Sequence, residues 1–176
     1  TSSVGKYKIY YYIKLSQPVR WEKLGSHQIA ARLKDRTKKL ELRIGWSSTS
    51  EQYARAQIDA RSFEQIRQST TNAWNQALGH IAVSQPVRVN KEADSIMAAR
   101  RDLFYSLLYR VIQSPYLISE KDGTYRNTKG ELVKSDTPVY NGWSVWDNYR
   151  TQLPLLALVY GDRYQGIVNS LCGLYE

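Results

Sequence analysis

Apolar and polar side chains alternate at the start of the chain. Across residues 6–15, Tyr7, Ile9, Tyr11, Ile13 and Leu15 fall on one side and Lys8, Tyr10, Tyr12 and Lys14 on the other, which predicts a strand. Leu40, Leu42, Ile44 and Trp46 repeat the pattern between Lys39, Glu41 and Arg43, and the polar stretch 24–36 is expected to hold a third strand. These read as pieces of an antiparallel sheet with one solvated face. From about Ser50 the period becomes helical. Ser62 and Gln65 have the spacing of a capping box ahead of Ile66, Ala73, Trp74 and Leu78, and Gly79 is a plausible stop.

After a short extended piece over residues 81–89, Ile96, Met97, Phe104, Leu107, Leu108, Val111 and Ile112 recur at three- and four-residue spacings, predicting a long amphipathic helix over residues 92–113. Its stripe reads as a core face. Ser114-Pro115 ends it, and Asp122-Gly123 and Lys129-Gly130 mark turns in a polar extended stretch. Residues 132–143 read as loop or short strand. A helix resumes near Val145, with Pro154 expected to kink it or begin a new one. Asp162 and Gln165 suggest a second capping box, opening a helix that is expected to run on through Tyr175 and Glu176, as if the chain stopped inside an element. Strands first and helices after argue for an α+β chain or a junction of two domains.

Composition narrows the chemistry. At 176 residues and 42% hydrophobic, the chain can bury a core for one domain or parts of two. Its 25 Lys+Arg against 16 Asp+Glu give a net charge of +9, which favours polyanions or membrane surfaces as partners. Aromatics make up 12%, mostly 14 Tyr and 5 Trp, and suit sugar or base stacking as well as core packing. Cys172 is the only cysteine, so no intramolecular disulfide forms, and no Cys/His cluster has zinc spacing. No apolar run approaches the roughly 18 residues of a membrane span. The chain starts at Thr1 without an apolar leader, so any targeting segment is expected to lie outside it.

Only His27 and His80 are available for triad chemistry, and neither has a motif around it. His80 follows Gly79 at a helix end, where it reads as a cap, and His27 reads as a surface residue. No phosphate-binding glycine loop is present. Lys6-Tyr7-Lys8 and Tyr11-Tyr12-Ile13-Lys14 interleave charge and aromatics as a nucleic-acid surface can, but the solvent face of an ordinary strand is the preferred reading. The densest polar and aromatic cluster is Tyr140-Asn141-Gly142-Trp143-Ser144-Val145-Trp146-Asp147-Asn148-Tyr149-Arg150. A sugar pocket needs an apolar platform for C–H groups and an acceptor for hydroxyls, and Trp146 with Asp147 supplies both. The ordinary alternatives for Asp147 are a helix-dipole or capping role and a salt bridge to Arg150.

Phe104-Tyr105-Ser106-Leu107-Leu108-Tyr109, then Ser119-Glu120-Lys121-Asp122-Gly123-Thr124-Tyr125-Arg126, then Ser144-Val145-Trp146-Asp147-Asn148-Tyr149-Arg150, and finally Pro154-Leu155-Leu156 with residues 171–176, follow in an order and spacing that resembles the start of the catalytic domain of glycoside hydrolase family 92, the calcium-dependent α-mannosidases. Ala73-Trp74-Asn75-Gln76-Ala77-Leu78 looks like the family's helical connector. The resemblance implies an α+β chain in three parts: residues 1–48 as the last strands of an antiparallel β-sandwich, 49–90 as a helical linker, and 91–176 as the first helices of an incomplete (α/α)6 toroid. The mannose site would lie between the domains. It further implies inverting, calcium-dependent removal of mannose from α-mannosides, α-1,2-linked ones foremost, by a glutamic acid and an aspartate. Those carboxylates and the calcium ligands correspond to positions beyond Glu176, so no catalytic residue and no metal ligand is carried over, and the chain alone is expected to be inactive.

Trp146 and Asp147 are carried over as wall and hydroxyl acceptor of the mannose subsite. Val145, Asn148 and Tyr149 stand where the family often has Leu, Thr and Phe. Mannose-containing glycans are the implied partners, with no nucleic acid and no membrane span, in the bacterial periplasm or outside the cell. Without the resemblance, the residues also fit a non-catalytic, basic, aromatic-rich module for glycan or nucleic acid, or a structural subdomain with no site.

Overall fold

The computed structural model describes residues 8–34, 39–84 and 91–174. The chain divides into two compact units, Thr1–Ala60 and Arg61–Glu176. Both mix helices with small antiparallel sheets.

The first unit holds strands β1 (Tyr10–Leu15), β2 (Val19–Lys23), β3 (Ile29–Leu33) and β4 (Leu42–Ser47), followed by helix α1 (Glu51–Ala56). β1 pairs with β4, setting Tyr11 opposite Trp46, Ile13 opposite Ile44 and Leu15 opposite Leu42. β2 and β3 form a separate antiparallel hairpin. The third strand expected over 24–36 is β3. β2 was not anticipated, because Arg20, Glu22 and Lys23 leave only Val19 and Trp21 as its apolar positions. Lys6 and Tyr7, expected in the first strand, lie outside the described residues.

α1 begins at Ser50, whose Oγ accepts from the Tyr53 N–H at 3.3 Å. The helix lies on the β1–β4 face that carries Tyr12, Gly45 and Ser47. A Cβ at Gly45 would stand 2.0 Å from the Ala54 carbonyl oxygen, so only glycine permits this approach. The Arg55 guanidinium sits 5.5 Å from the Tyr12 ring centroid. The expected solvated face of the sheet is therefore the apolar one, with Tyr11, Leu42, Ile44 and Trp46 all exposed.

In the second unit, α2 (Phe63–Leu78) starts with the expected capping box. Ser62 Oγ accepts from the Gln65 N–H at 3.2 Å, and Gln65 Oε1 accepts from the Ser62 N–H at 2.9 Å. Ser62→Ala should cost about 1 kcal/mol, read as a lower urea midpoint at unchanged slope. α2 stops at Gly79, and His80 Nδ1 lies 3.0 Å from the Gln76 carbonyl and 3.1 Å from that of Ala77, the capping place expected for it. The Glu64 carboxyl is held below its ordinary pKa by the Arg67 hydrogen bond, an exposed pair of little energetic weight.

α3 (Lys91–Ile112) is the long helix the periodicity predicts. Beyond it come β5 (Tyr116–Leu117), β6 (Thr124–Arg126), β7 (Leu132–Lys134) and β8 (Tyr140–Asn141), paired β5 with β8 and β6 with β7. Three helices close the described chain: α4 (Val145–Asn148), α5 (Gln152–Val159) and α6 (Gly161–Cys172). Pro154 sits in the first turn of α5, where its missing N–H costs no helical bond, so it begins a helix and does not kink one.

Two expectations about α6 fail. It starts a residue before Asp162, with Tyr160 at the cap position and no side-chain cap bond, so the second capping box does not form. Gln165 bonds Asn169 instead, at 2.9 Å. The helix also ends at Cys172, with Gly173 as its cap, while Tyr175 and Glu176 lie outside the described residues. The extended piece expected over 81–89 shows no regular element over 81–84, and 85–90 are outside the described residues.

Leu108 and Ile112 of α3, Leu156 of α5 and Ile167 of α6 form the buried core of this unit, ringed by Trp74, Phe104, Trp143, Leu153 and Leu171. Tyr160 Oη donates to the Ala77 carbonyl at 2.9 Å, tying the end of α5 to α2. Burial raises the Tyr160 pKa, opposed by the charge of Arg163.

Candidate functional site

The segment around α4 is held from both sides by the core. Ahead of it, β8 pairs with β5, and the Tyr140 N–H donates to Ser170 Oγ of α6 at 2.9 Å. Ser114 Oγ donates to the Gly142 carbonyl at 2.7 Å. Gly142 has φ +82°, and a Cβ there would meet the Tyr116 ring at 2.2 Å, so both its conformation and its contact demand glycine. Trp143 then packs against the core. Behind it, Gln152 Nε2 donates to the Val111 and Ser114 carbonyls, each at 2.6 Å, capping α3 from the start of α5. Arg163 Nη2 donates to the Pro115 carbonyl at 2.7 Å.

On this frame α4 is a single turn, and Trp146 is 81% exposed, unusual for the largest aromatic side chain. Its ring centroid lies 6.3 Å from that of Tyr149, with the planes at 49°. The Arg150 guanidinium lies 5.2 Å from the Tyr149 ring, and its Nε donates to Tyr149 Oη at 2.6 Å. Arg150 is thus committed to Tyr149, and the salt bridge to Asp147 considered from the sequence does not form among the described residues. Asp147 is exposed, one oxygen taking the hydroxyl hydrogen of Ser144. It caps no helix with its side chain.

The structure brings Trp146 and Asp147 side by side at the surface, as the sequence placed them. Ser144 had no role in the sequence reading, although Ser-x-x-Asp ahead of an apolar run is a visible signal. A serine at that spacing ordinarily caps the helix, whereas here the hydroxyl goes to the carboxylate itself. Among the described residues no group of three or more His, Cys, Asp or Glu side chains could hold a metal ion. No helix among them is long and apolar enough to cross a membrane.

The glycosyl hydrolase family 92 catalytic domain matches residues 49–176, from before α1 through α6. The chain belongs to glycoside hydrolase family 92. Solved family 92 structures share its fold. The family 92 glycosyl hydrolase ccman5 is 25% identical, with a TM-score of 0.76 over 93% of this chain and 23% of that one. A family 92 α-mannosidase from Bacteroides thetaiotaomicron gives 18% identity and a TM-score of 0.73 over 92% and 24%. A family 92 inverting mannosidase from the same organism gives 20% and 0.74 over 95% and 24%. The chain thus spans about a quarter of the length of these relatives. No curated protein matches it.

Proposed function

We propose that this chain is part of an enzyme that removes mannose from α-mannosides, α-1,2-linked ones foremost, with inversion, and that Trp146 and Asp147 contact the mannose. One observation carries the reading: in a family 92 chain, a Trp that is 81% exposed stands beside an Asp with a carboxylate oxygen open to solvent. The indole face offers an apolar platform for the sugar's C–H groups, and the carboxylate accepts from its hydroxyls. In this reading the four strands of the first unit are the end of a β-sandwich, α1 and α2 belong to a helical linker, the helices from α3 onward open an (α/α)6 toroid, and the enzyme works in the bacterial periplasm or outside the cell.

Inversion needs two carboxylates far enough apart for a water to attack the sugar from the face opposite the protonated leaving oxygen. Both belong to parts of the longer protein outside these residues, and the chain alone is inactive. Calcium belongs there too. Among the described residues no group of three or more His, Cys, Asp or Glu side chains fits a calcium site. The test is mannose release from an α-1,2-linked mannobiose by the full-length protein with calcium supplied. Release that EDTA suppresses and added calcium restores is expected. No release from any α-linked mannobiose overturns the reading.

A further inference from the structure

We infer that Ser144 is a positioning residue for Asp147, its hydroxyl fixing the carboxylate so that one oxygen stays presented to a mannose hydroxyl. The inference rests on the proposed mannose contact of Asp147. A serine just ahead of a helix ordinarily accepts a hydrogen bond from a backbone N–H two or three residues on. Ser144 occupies that place but has φ −123° and ψ 89°, and its side chain caps nothing. The hydroxyl donates to Asp147 Oδ2.

The backbone holds the turn without it. The Ser144 carbonyl accepts from the Asp147 N–H at 3.0 Å and from the Asn148 N–H at 2.9 Å, bonds that do not involve the hydroxyl. Removing the hydroxyl therefore leaves the turn standing and frees only the carboxylate. An ionised carboxylate is purely an acceptor, and a neutral hydroxyl donating to it makes a charge-assisted bond, stronger than one between two neutral groups. Asp147 Oδ1 has no hydrogen bond among the described residues, and the nearby cation, Arg150, is turned to Tyr149. With one oxygen tied and the other open, the carboxylate is ordered before the sugar arrives, so binding does not have to supply the ordering.

Four variants of the full-length protein test this with the α-1,2-linked mannobiose: Ser144→Ala, Ser144→Thr, Asp147→Ala and the Ser144→Ala/Asp147→Ala pair. Ser144→Ala should raise KM about three- to tenfold with kcat within about twofold and the melting temperature unchanged. Ser144→Thr, which keeps the hydroxyl, should restore KM. The double variant should be no worse than Asp147→Ala alone, because the hydroxyl acts only through the carboxylate. An unchanged KM in Ser144→Ala, or losses that add in the double variant, overturns the inference while the mannose contact of Asp147 stands. A fall in melting temperature that threonine does not rescue assigns the serine a structural role and overturns it too. If Asp147→Ala is itself silent, the mannose contact fails and the inference falls with it.

Discussion

Asp147→Ala in the full-length protein should lower kcat/KM for an α-1,2-linked mannobiose at least tenfold while leaving the melting temperature nearly unchanged. A hydrogen bond to a charged acceptor contributes about 1.5–3 kcal/mol, which corresponds to roughly ten- to 150-fold. The stability half of the prediction comes from the structure. Asp147 is exposed and, among the described residues, caps no helix end, forms no ion pair with Arg150 and has a side-chain bond to Ser144 alone. Surface substitutions of this kind stay within about 0.5 kcal/mol. Parallel losses of activity and stability would instead assign Asp147 to the helix-dipole role.

Leu156→Ala should be the most damaging single change to folding, costing about 2–5 kcal/mol through lost burial and the cavity left behind. Leu156 is fully buried and meets α3 and α6 through Leu108, Ile112 and Ile167. The melting temperature should fall by about 6–15 °C, whereas Leu156→Met, which keeps the volume, should cost less than about 1.5 kcal/mol. Activity should fall with Leu156→Ala as well. Gln152 leads the same helix and caps α3 beside the segment that carries Trp146, so loosening α5 loosens the frame of the site. A loss below about 1 kcal/mol would mean that the core is not centred there.

Elements with a strong period were legible from the residues. Ile96 through Ile112 gave α3, Ser62 with Gln65 gave the start of α2, and alternation around Tyr11 and Ile44 gave β1 and β4. β2 escaped because charges fill most of its short length, whereas β7 and β8 fall in the stretch 132–143 that reads as loop or short strand. The start of α6 was misread from Asp162 and Gln165, since a capping box needs the backbone to break where the serine-like residue stands, and here the break falls at Tyr160. Trp146 and Asp147 stood out by type and adjacency. The donor that orients Asp147 did not, because the Ser144 spacing is shared by an ordinary helix cap, and only the placed hydroxyl separates the two.

The exposed apolar face of β1 and β4 bears on where this protein can be cut. A boundary after Ala60 would isolate a two-stranded ribbon backed only by the short α1, together with a separate hairpin, and two-stranded sheets are marginal in water. Both ribbon strands would keep a free edge beside Tyr11, Ile44 and Trp46, an open template for another copy to extend. Shortened versions of the polypeptide that end after Ala60 should therefore be prone to cross-pairing between chains.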